Sequence, residues 1–569
     1  MLLAAFSEVM SLGAVLPFLS VLNNAENLLK NAHLQPFILA FKITSAAELV
    51  TWITIAFVLI TIATNSLRIL TLYTQTHLSA RIASDLSRSV YQRILLQPYS
   101  FYSRHNSSDL ITVLVSDSSI AGNVLGSFLF MVANSFVIVA LILGLFAINA
   151  TVALTTTVVL STVYLLLFSW RRQKLASNSQ LITQHNQLLL RAIQESLGGI
   201  REVILSGHQN FFQSTFAHSD YAIRQAYASN QITYSSPRYG IEVVAIISIA
   251  LLALTLGRDG DFSQAVPVLG SLALGANRLL PALQQSFAAL ATMQGSRYSL
   301  QRVLTTLQQS FDPLQAWVAP QALVLQRELR FEQVWFRYSL DDDWVLRDLN
   351  LIVRAKSTVG FVGTTGSGKS TTADLILGLL QPEKGQIFAD DFPLVGERLR
   401  AWQASIAHVP QTIFLSDATI AENIAFGLPQ NLIDPQRVAK AARLAQLSEF
   451  IETLPEGYKT VVGERGIRLS GGQRQRVGIA RALYRDVQVL VFDEATSALD
   501  NATEKEVMAA IDGLSKELTI ILIAHRLTTI EKCEIIFEFA WGQVVGSGTY
   551  KDLIKTSSSF RKMALSSSQ

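Results

Sequence analysis

Residues 363–370 read Gly-Thr-Thr-Gly-Ser-Gly-Lys-Ser, and further along the chain residues 469–473 read Leu-Ser-Gly-Gly-Gln. The first stretch has the phosphate-loop spacing G-x-x-x-x-G-K-[ST]. It lies between Thr358–Val362, an apolar run read as a strand, and Ser370–Leu380, read as a helix. Gly363, Gly366 and Gly368 let backbone N–H groups turn inward around phosphates. Thr364, Thr365, Ser367 and Thr371 complete the loop and the first turn of the helix, whose N-terminus adds a favourable dipole. Lys369 is expected to pair with β- and γ-phosphates, and the Ser370 hydroxyl to bind Mg²⁺.

So short a pattern recurs in unrelated chains, and its weight comes from a second segment downstream. Val487–Phe492 is an apolar strand that ends in Asp493-Glu494. An acidic residue at a strand end facing the phosphate loop suits Mg²⁺, which is the role expected of Asp493. The next carboxylate, Glu494, is placed to orient and deprotonate an attacking water. A lone acidic pair after a strand would otherwise be a solvated turn.

Outward from this segment the chain changes character. It has 569 residues, of which 50% are apolar and 16% charged, and a mean hydropathy of +0.33. The apolar excess lies in the first half, and the rest reads as an ordinary α/β sequence, so a membrane part and a soluble part are expected. The net charge of +3 gives no reason to expect a nucleic-acid partner. One cysteine, Cys533, excludes an intramolecular disulfide framework and a Cys-rich metal site.

A spanning helix needs about 20 mostly apolar residues. Six candidates are Met1–Leu22, Leu49–Leu70, Val124–Ile148, Val152–Phe168, Ile241–Leu256 and Val266–Ala288, the fourth and fifth extending into their flanks. Met1–Leu22 lacks the basic region and cleavage site of a signal peptide. Its abrupt apolar start suggests a short upstream segment. Arginines and lysines crowd the loops between spans two and three and between spans four and five, whereas the opposite loops hold only Lys30, Lys42 and Arg258. The long loops and both termini are therefore expected in the cytosol. Arg68 to Pro98 and Ser177 to Leu205 read as long helices, with turns at Tyr102–Asp109 and Gly207–Phe212 facing the soluble part.

With Leu469-Ser470-Gly471-Gly472-Gln473 the chain resembles the ATP-binding-cassette transporter family, and further motifs stand in that family's order. The resemblance implies that Tyr338 stacks on adenine. It implies that Gln411, in His-Val-Pro-Gln, senses Mg²⁺ and the attacking water, and that Asp500, in Ser-Ala-Leu-Asp, touches the partner subunit. His525, in Ala-His-Arg, matches a γ-phosphate contact, and Ser470, Gly471, Gly472 and Gln473 match residues that close over ATP from the opposing subunit. Val461-Val-Gly-Glu-Arg-Gly466 is similar to a loop specific to exporters. The implied fold is an all-α six-helix transmembrane exporter domain at 1–310, a linker at 311–328, and an α/β P-loop nucleotide-binding domain at 329–569. The implied cofactors are ATP and Mg²⁺. One cassette on six spans makes a half-transporter, and the undegraded motifs favour a homodimer in the plasma (inner) membrane.

For cargo, Arg278 in span six and Glu8 in span one stand out, because ionisable residues at such depth often face a cavity, when they do not pair internally or snorkel. Arg278-Leu-Leu-Pro281 and the Arg-rich extension of span two look similar to bacterial lipid-linked oligosaccharide flippases and glycolipid or polysaccharide exporters. The expected function is ATP-driven export or flipping of a lipid or lipid-linked glycan by alternating access. A multidrug or general lipid exporter, and an ATP-gated channel or regulator, are the alternatives.

Overall fold

The computed structural model describes residues 2–15, 18–19, 21–22, 45–148, 150–257, 262–311, 321–493, 504, 507–509, 517–524 and 526–566. The chain divides into two compact units, one of Met1–Gln97 with His105–Ser310, the other of Pro98–Arg104 with Phe311–Gln569.

The first unit is helical. Helix Ala46–Leu95 runs 50 residues without interruption. Ser45 starts it with a capping box, its hydroxyl accepting from Glu48 N while Glu48 accepts from Ser45 N. At 1.5 Å per residue such a helix is about 75 Å long, more than twice the roughly 30 Å of hydrocarbon it must cross. Its second half, with Arg81, Arg88 and Arg93, therefore projects into water. Segments within Ala46–Leu95 and Ser107–Gly144 have mean hydropathies of 2.1 and 2.3 yet only 11% and 17% of those windows is buried, unlike the core helices of a soluble protein. Spans three to six lie in helices Ser118–Ile148, Ala150–Gly198, Gln209–Gly257 and Phe262–Gly295. Leu2–Gly13 begins the first, part of which falls outside the described residues.

The helix expected through Leu205 breaks at Gly198-Gly199 and resumes as Ile200–Ser206, ending on left-handed Gly207 (φ 66°). The first tip starts earlier than expected, as a short helix Tyr99–Arg104 followed by Ser107–Ile111. Ser118–Ile148 crosses Ala46–Leu95 through small residues. A Cβ on Gly122 would lie 2.4 Å from Ala83 Cβ, and one on Gly126 would lie 2.6 Å from Ser79 Oγ. Small residues at these positions let the two helix backbones approach closely.

Below the spans a largely buried polar cluster joins four elements. Residues Thr112–Asp117 form a π-helix that turns Asp117 inward. Arg302, on helix Arg297–Gln308, lies 2.5 Å from Asp109 and 3.4 Å from Asp117. Gln187 donates to Asp109, and Thr183 and Ser299 share a hydrogen bond of 3.2 Å. Burial pushes the Asp117 carboxyl above its ordinary range, opposed by the Ser299 hydrogen bond and the Arg302 charge.

The second unit carries two sheets. One has order β10-β9-β3-β8-β7-β6, where β3 is Thr358–Gly363, β6 Ile406–Val409, β7 Val489–Asp493, β8 Thr519–Ile523, β9 Ile535–Ala540 and β10 Gln543–Gly548. All but β10 run parallel to their neighbours. The strands β3, β7 and β8 are covered on both faces, which is why they read as unbroken apolar runs. The other sheet is antiparallel, with order β2-β1-β4-β5, where β1 is Glu328–Phe336, β2 Leu346–Arg354, β4 Lys384–Ala389 and β5 Phe392–Pro393. A helical part, including Pro435–Leu444 and Gly471–Tyr484, packs its apolar side on a core with Val409, Leu490 and Phe492.

Removing one partner of a buried ion pair leaves the other charge uncompensated, at about 3–5 kcal/mol. Arg302→Ala should therefore lower the melting temperature of the purified protein markedly, and adding Asp117→Asn should restore part of the loss because the stranded carboxylate is gone. Thermal unfolding of the two variants in one detergent checks this.

Candidate nucleotide site

The phosphate loop leaves β3 and enters helix Lys369–Ile376. Its turn is specific to glycine at two places. Gly363 has φ 148°, and a Cβ there would lie 2.2 Å from the Phe539 carbonyl oxygen on β9. Gly368 has φ 102°, and a Cβ would meet Leu346 at 2.6 Å. Gly542 N donates to the Ser367 carbonyl at 3.2 Å, so the β9–β10 hairpin braces the loop from behind.

Lys369 is buried and folds back over the loop, its ammonium donating to Gly363 O at 2.8 Å and Thr364 O at 3.0 Å. Among the described residues, no side chain caps the N-terminus of the helix it begins. Ser367 Oγ is buried without a hydrogen-bond partner among those same residues. An ammonium at the centre of a curled backbone, an uncapped helix start and an orphaned hydroxyl are the features a phosphate chain satisfies.

Asp493 ends β7, beside Ile523 of β8. Burial, then the negative charge of Asp493, pushes the carboxyl of Asp374 up to about 6. Asp374 lies four residues after Ser370, on the same side of the phosphate-loop helix. Two mutually repelling carboxylates beside that hydroxyl suit a divalent cation, so the donor set fits Mg²⁺. Sequence reading missed Asp374, although its helical spacing from Ser370 was the available signal.

Tyr338 stands just past β1. Its hydroxyl lies 3.1 Å from Thr371 Oγ1, and its ring meets Phe336 edge-on with centroids 5.1 Å apart. Gln411 comes just after β6, the neighbour of β7. In β6, burial drives His408 down to about 4, so it is neutral at physiological pH.

The Leu469-Ser-Gly-Gly-Gln stretch opens helix Gly471–Tyr484 as a capping box. Ser470 Oγ accepts from Gln473 N at 3.2 Å, and Ser470 N donates to Gln473 Oε1 at 2.8 Å. Gly471 and Gly472 form the first turn. Arg481 donates to the Asn423 and Phe414 carbonyls, both at 2.8 Å, and ties this helix to the segment after Gln411.

Glu494, Asp500 and His525 lie outside the described residues. Arg278 is on helix Phe262–Gly295, but its side chain is outside the described part. Glu8 is fully buried and pairs with Arg68 on helix Ala46–Leu95 at 2.5 Å, an arginine to which sequence reading gave no role.

A glycine-lined phosphate loop on a parallel sheet, a capped signature helix and a bundle of membrane-length helices define an ATP-driven membrane transporter. The chain belongs to the ABC transporter family. The ABC transporter model matches residues 346–497, and the ABC transporter transmembrane region matches 8–257. Its ATPase activity is coupled to transport. The chain is 30% identical to an ATP-dependent lipid A-core flippase of Alkalilimnicola ehrlichii, over 85% of this chain and 82% of that one. Proteins described in the same words are 32% identical in Ralstonia nicotianae, over 84% and 80%, and 31% identical in Haemophilus influenzae, over 85% and 82%. The fold matches the structure of a bacterial Atm1-family ABC exporter with ATP bound, with a TM-score of 0.79 and 23% identity, over 100% of this chain and 97% of that one.

His408 has a folded-state value below its ordinary 6.5, so its contribution to stability is complete above pH 6.5 and is lost as pH falls towards 4. His408→Gln cannot be protonated there. The difference in unfolding free energy between wild type and variant, from denaturant melts, should be constant above pH 7 and should move in the variant's favour between pH 6.5 and 4, by at most about 3 kcal/mol. A difference independent of pH would contradict the buried neutral imidazole.

Proposed function

We propose that two copies of this chain form a symmetric exporter that flips a lipid or lipid-linked glycan across the plasma (inner) membrane, with its cassettes in the cytosol. The observation that carries the dimer is the signature itself. Ser470 is exposed at the start of the helix Gly471–Tyr484, so the signature is open to a nucleotide held by a second copy. Each ATP then lies between Gly363–Thr371 of one copy and Ser470–Gln473 of the other, with Asp500 at the contact. Tyr338 stacks on the base.

Within that site Lys369 neutralises the β- and γ-phosphates. Ser370, Gln411 and Asp493 would hold Mg²⁺, which supplies charge neutralisation on the transferred phosphoryl group. Glu494 takes a proton from the attacking water, and His525 contacts the γ-phosphate. The concentration of Lys and Arg in the two long loops supports the cytosolic placement of the cassettes.

The lipid reading is supported by similarity to lipid A-core flippases over most of both chains. It is also supported by ionisable groups in the spans. Arg278 falls in span six and the Glu8–Arg68 pair joins spans one and two, and ionisable groups at such depth are favoured by a polar cavity or ligand. A guanidinium makes two parallel charge-assisted bonds to a phosphate, so the headgroup expected is phosphate or diphosphate.

For the chemistry, Glu494→Gln should retain ATP binding while lowering kcat at least ~100-fold, the range for loss of a general base. Near-normal phosphate release by purified protein would remove Glu494 from that role. For the cargo, Arg278→Ala should reduce flipping of a phosphate-bearing lipid in proteoliposomes and leave basal ATP hydrolysis mostly intact, with Arg278→Lys restoring only part. Normal flipping by the alanine variant would exclude Arg278 from headgroup binding.

A further inference from the structure

The short helix Tyr99–Arg104 lies at the tip of the first cytosolic loop, yet it clusters with the cassette unit. Its last residue, Arg104, donates a guanidinium hydrogen bond to the main-chain carbonyl of Tyr338. Tyr338 lies beyond the end of β1, and the last main-chain bond of that strand pair is Val345 N to Phe336 O at 2.9 Å. Its main chain is thus past the ladder, where strand pairing no longer fixes it. Two tethers act on this residue. The Arg104 bond reaches its backbone, and the 3.1 Å contact with Thr371 Oγ1 ties its hydroxyl to the phosphate-loop helix. Phe336 supports the ring edge-on. Tyr99, at the other end of the short helix, is pushed up by burial and then by the charges of Asp374 and Tyr338, so the helix sits near the nucleotide edge at both ends.

We propose that Arg104 is a positioning residue for the nucleotide base, setting the Tyr338 ring through its carbonyl and so making base affinity depend on the placement of the first cytosolic tip. The proposal rests on the reading of Tyr338 as the adenine-stacking residue. A bond from a charged donor is stronger than one between neutral groups, and its removal leaves a carbonyl at an otherwise unladdered position. The loss falls on base stacking and spares the phosphate contacts, which belong to the loop and Lys369. Coupling of this kind is reciprocal, so a nucleotide base seated on Tyr338 also stabilises the docked position of the Tyr99–Arg104 helix.

The test uses the full chain in lipid nanodiscs, with Arg104→Ala, Arg104→Lys, Tyr338→Ala and the Arg104→Ala/Tyr338→Ala pair. Arg104→Ala should raise KM for ATP roughly tenfold, the equivalent of one charge-assisted hydrogen bond, while kcat stays within about twofold. Arg104→Lys should recover part of the loss. Inhibition by ADP should weaken in parallel, but inhibition by inorganic tripolyphosphate, which has no base, should not change. The double variant should be no worse than Tyr338→Ala alone. If Tyr338→Ala leaves ATP and ADP affinity intact, the stacking role of Tyr338 is wrong. If Tyr338→Ala weakens both and Arg104→Ala does neither, Arg104 has no positioning role. Equal weakening of ADP and tripolyphosphate, or additive losses in the double variant, would also overturn the proposal, since both indicate a general distortion of the cassette.

Discussion

Hydrocarbon offers no hydrogen bonds to a peptide group, so each spanning segment must satisfy its own backbone as a helix. That constraint accounts for most of the first unit. A helix that already has every backbone bond made is stiff, and lengthening it into water costs little more than choosing polar residues for the new turns. Helices of 49 and 50 residues, as in Ala150–Gly198 and Ala46–Leu95, are the result. They carry the chain's rigidity out of the bilayer. The polar cluster of Asp109, Asp117 and Arg302 packs against one of these extensions, where Gln187 of Ala150–Gly198 donates to Asp109.

The cassette obeys a different constraint, that of close backbone approach. At Gly363 a Cβ would overlap a carbonyl of β9, and at Gly368 it would overlap Leu346 of β2. The phosphate loop is thus clasped between the parallel sheet and the antiparallel one, and its curl is set before any ligand arrives. Preorganised donors need no rearrangement when phosphate charge develops, which is where such sites gain their effect. The same economy appears in the signature, whose Ser470 and Gln473 satisfy each other's backbone and leave the helix dipole directed outward.

Legibility in the sequence divides along the range of the interactions. The phosphate loop is a local pattern and has the expected strand–loop–helix setting, and the signature, also local, opens a helix through its capping box. The buried strands β3, β7 and β8 were legible as apolar runs because both faces are covered. The short fourth and fifth spans were legible as fragments of longer helices. By contrast, the break at Gly198-Gly199 depends on which of many tolerated glycines the fold chooses to use, and the start of the first tip at Tyr99 depends on the cassette it clusters with. Arg104 was visible within a quoted turn, but its partner is Tyr338, and no local periodicity joins positions so far apart. Asp374 was hidden for a different reason, since its chemistry comes from burial and from the charge of Asp493 on β7, neither of them visible along the helix.

The Glu8–Arg68 pair shows how burial and exposure within one interaction constrain its role. The Glu8 side chain is 1% exposed and that of Arg68 46% exposed. A pair enclosed on both sides has its field cancelled within the protein, and apolar residues of similar volume can often replace it without loss. Here the carboxylate is enclosed and the guanidinium keeps an open face. The carboxylate fixes the orientation of the arginine and offsets its charge locally, which lowers the cost of keeping a cation at that depth. The open N–H groups remain directional donors, and an arginine has five of them, more than one carboxylate can occupy. The pair therefore keeps a guanidinium oriented by an enclosed carboxylate yet open on one face, an arrangement that a fully enclosed pair or an unpaired arginine would not give.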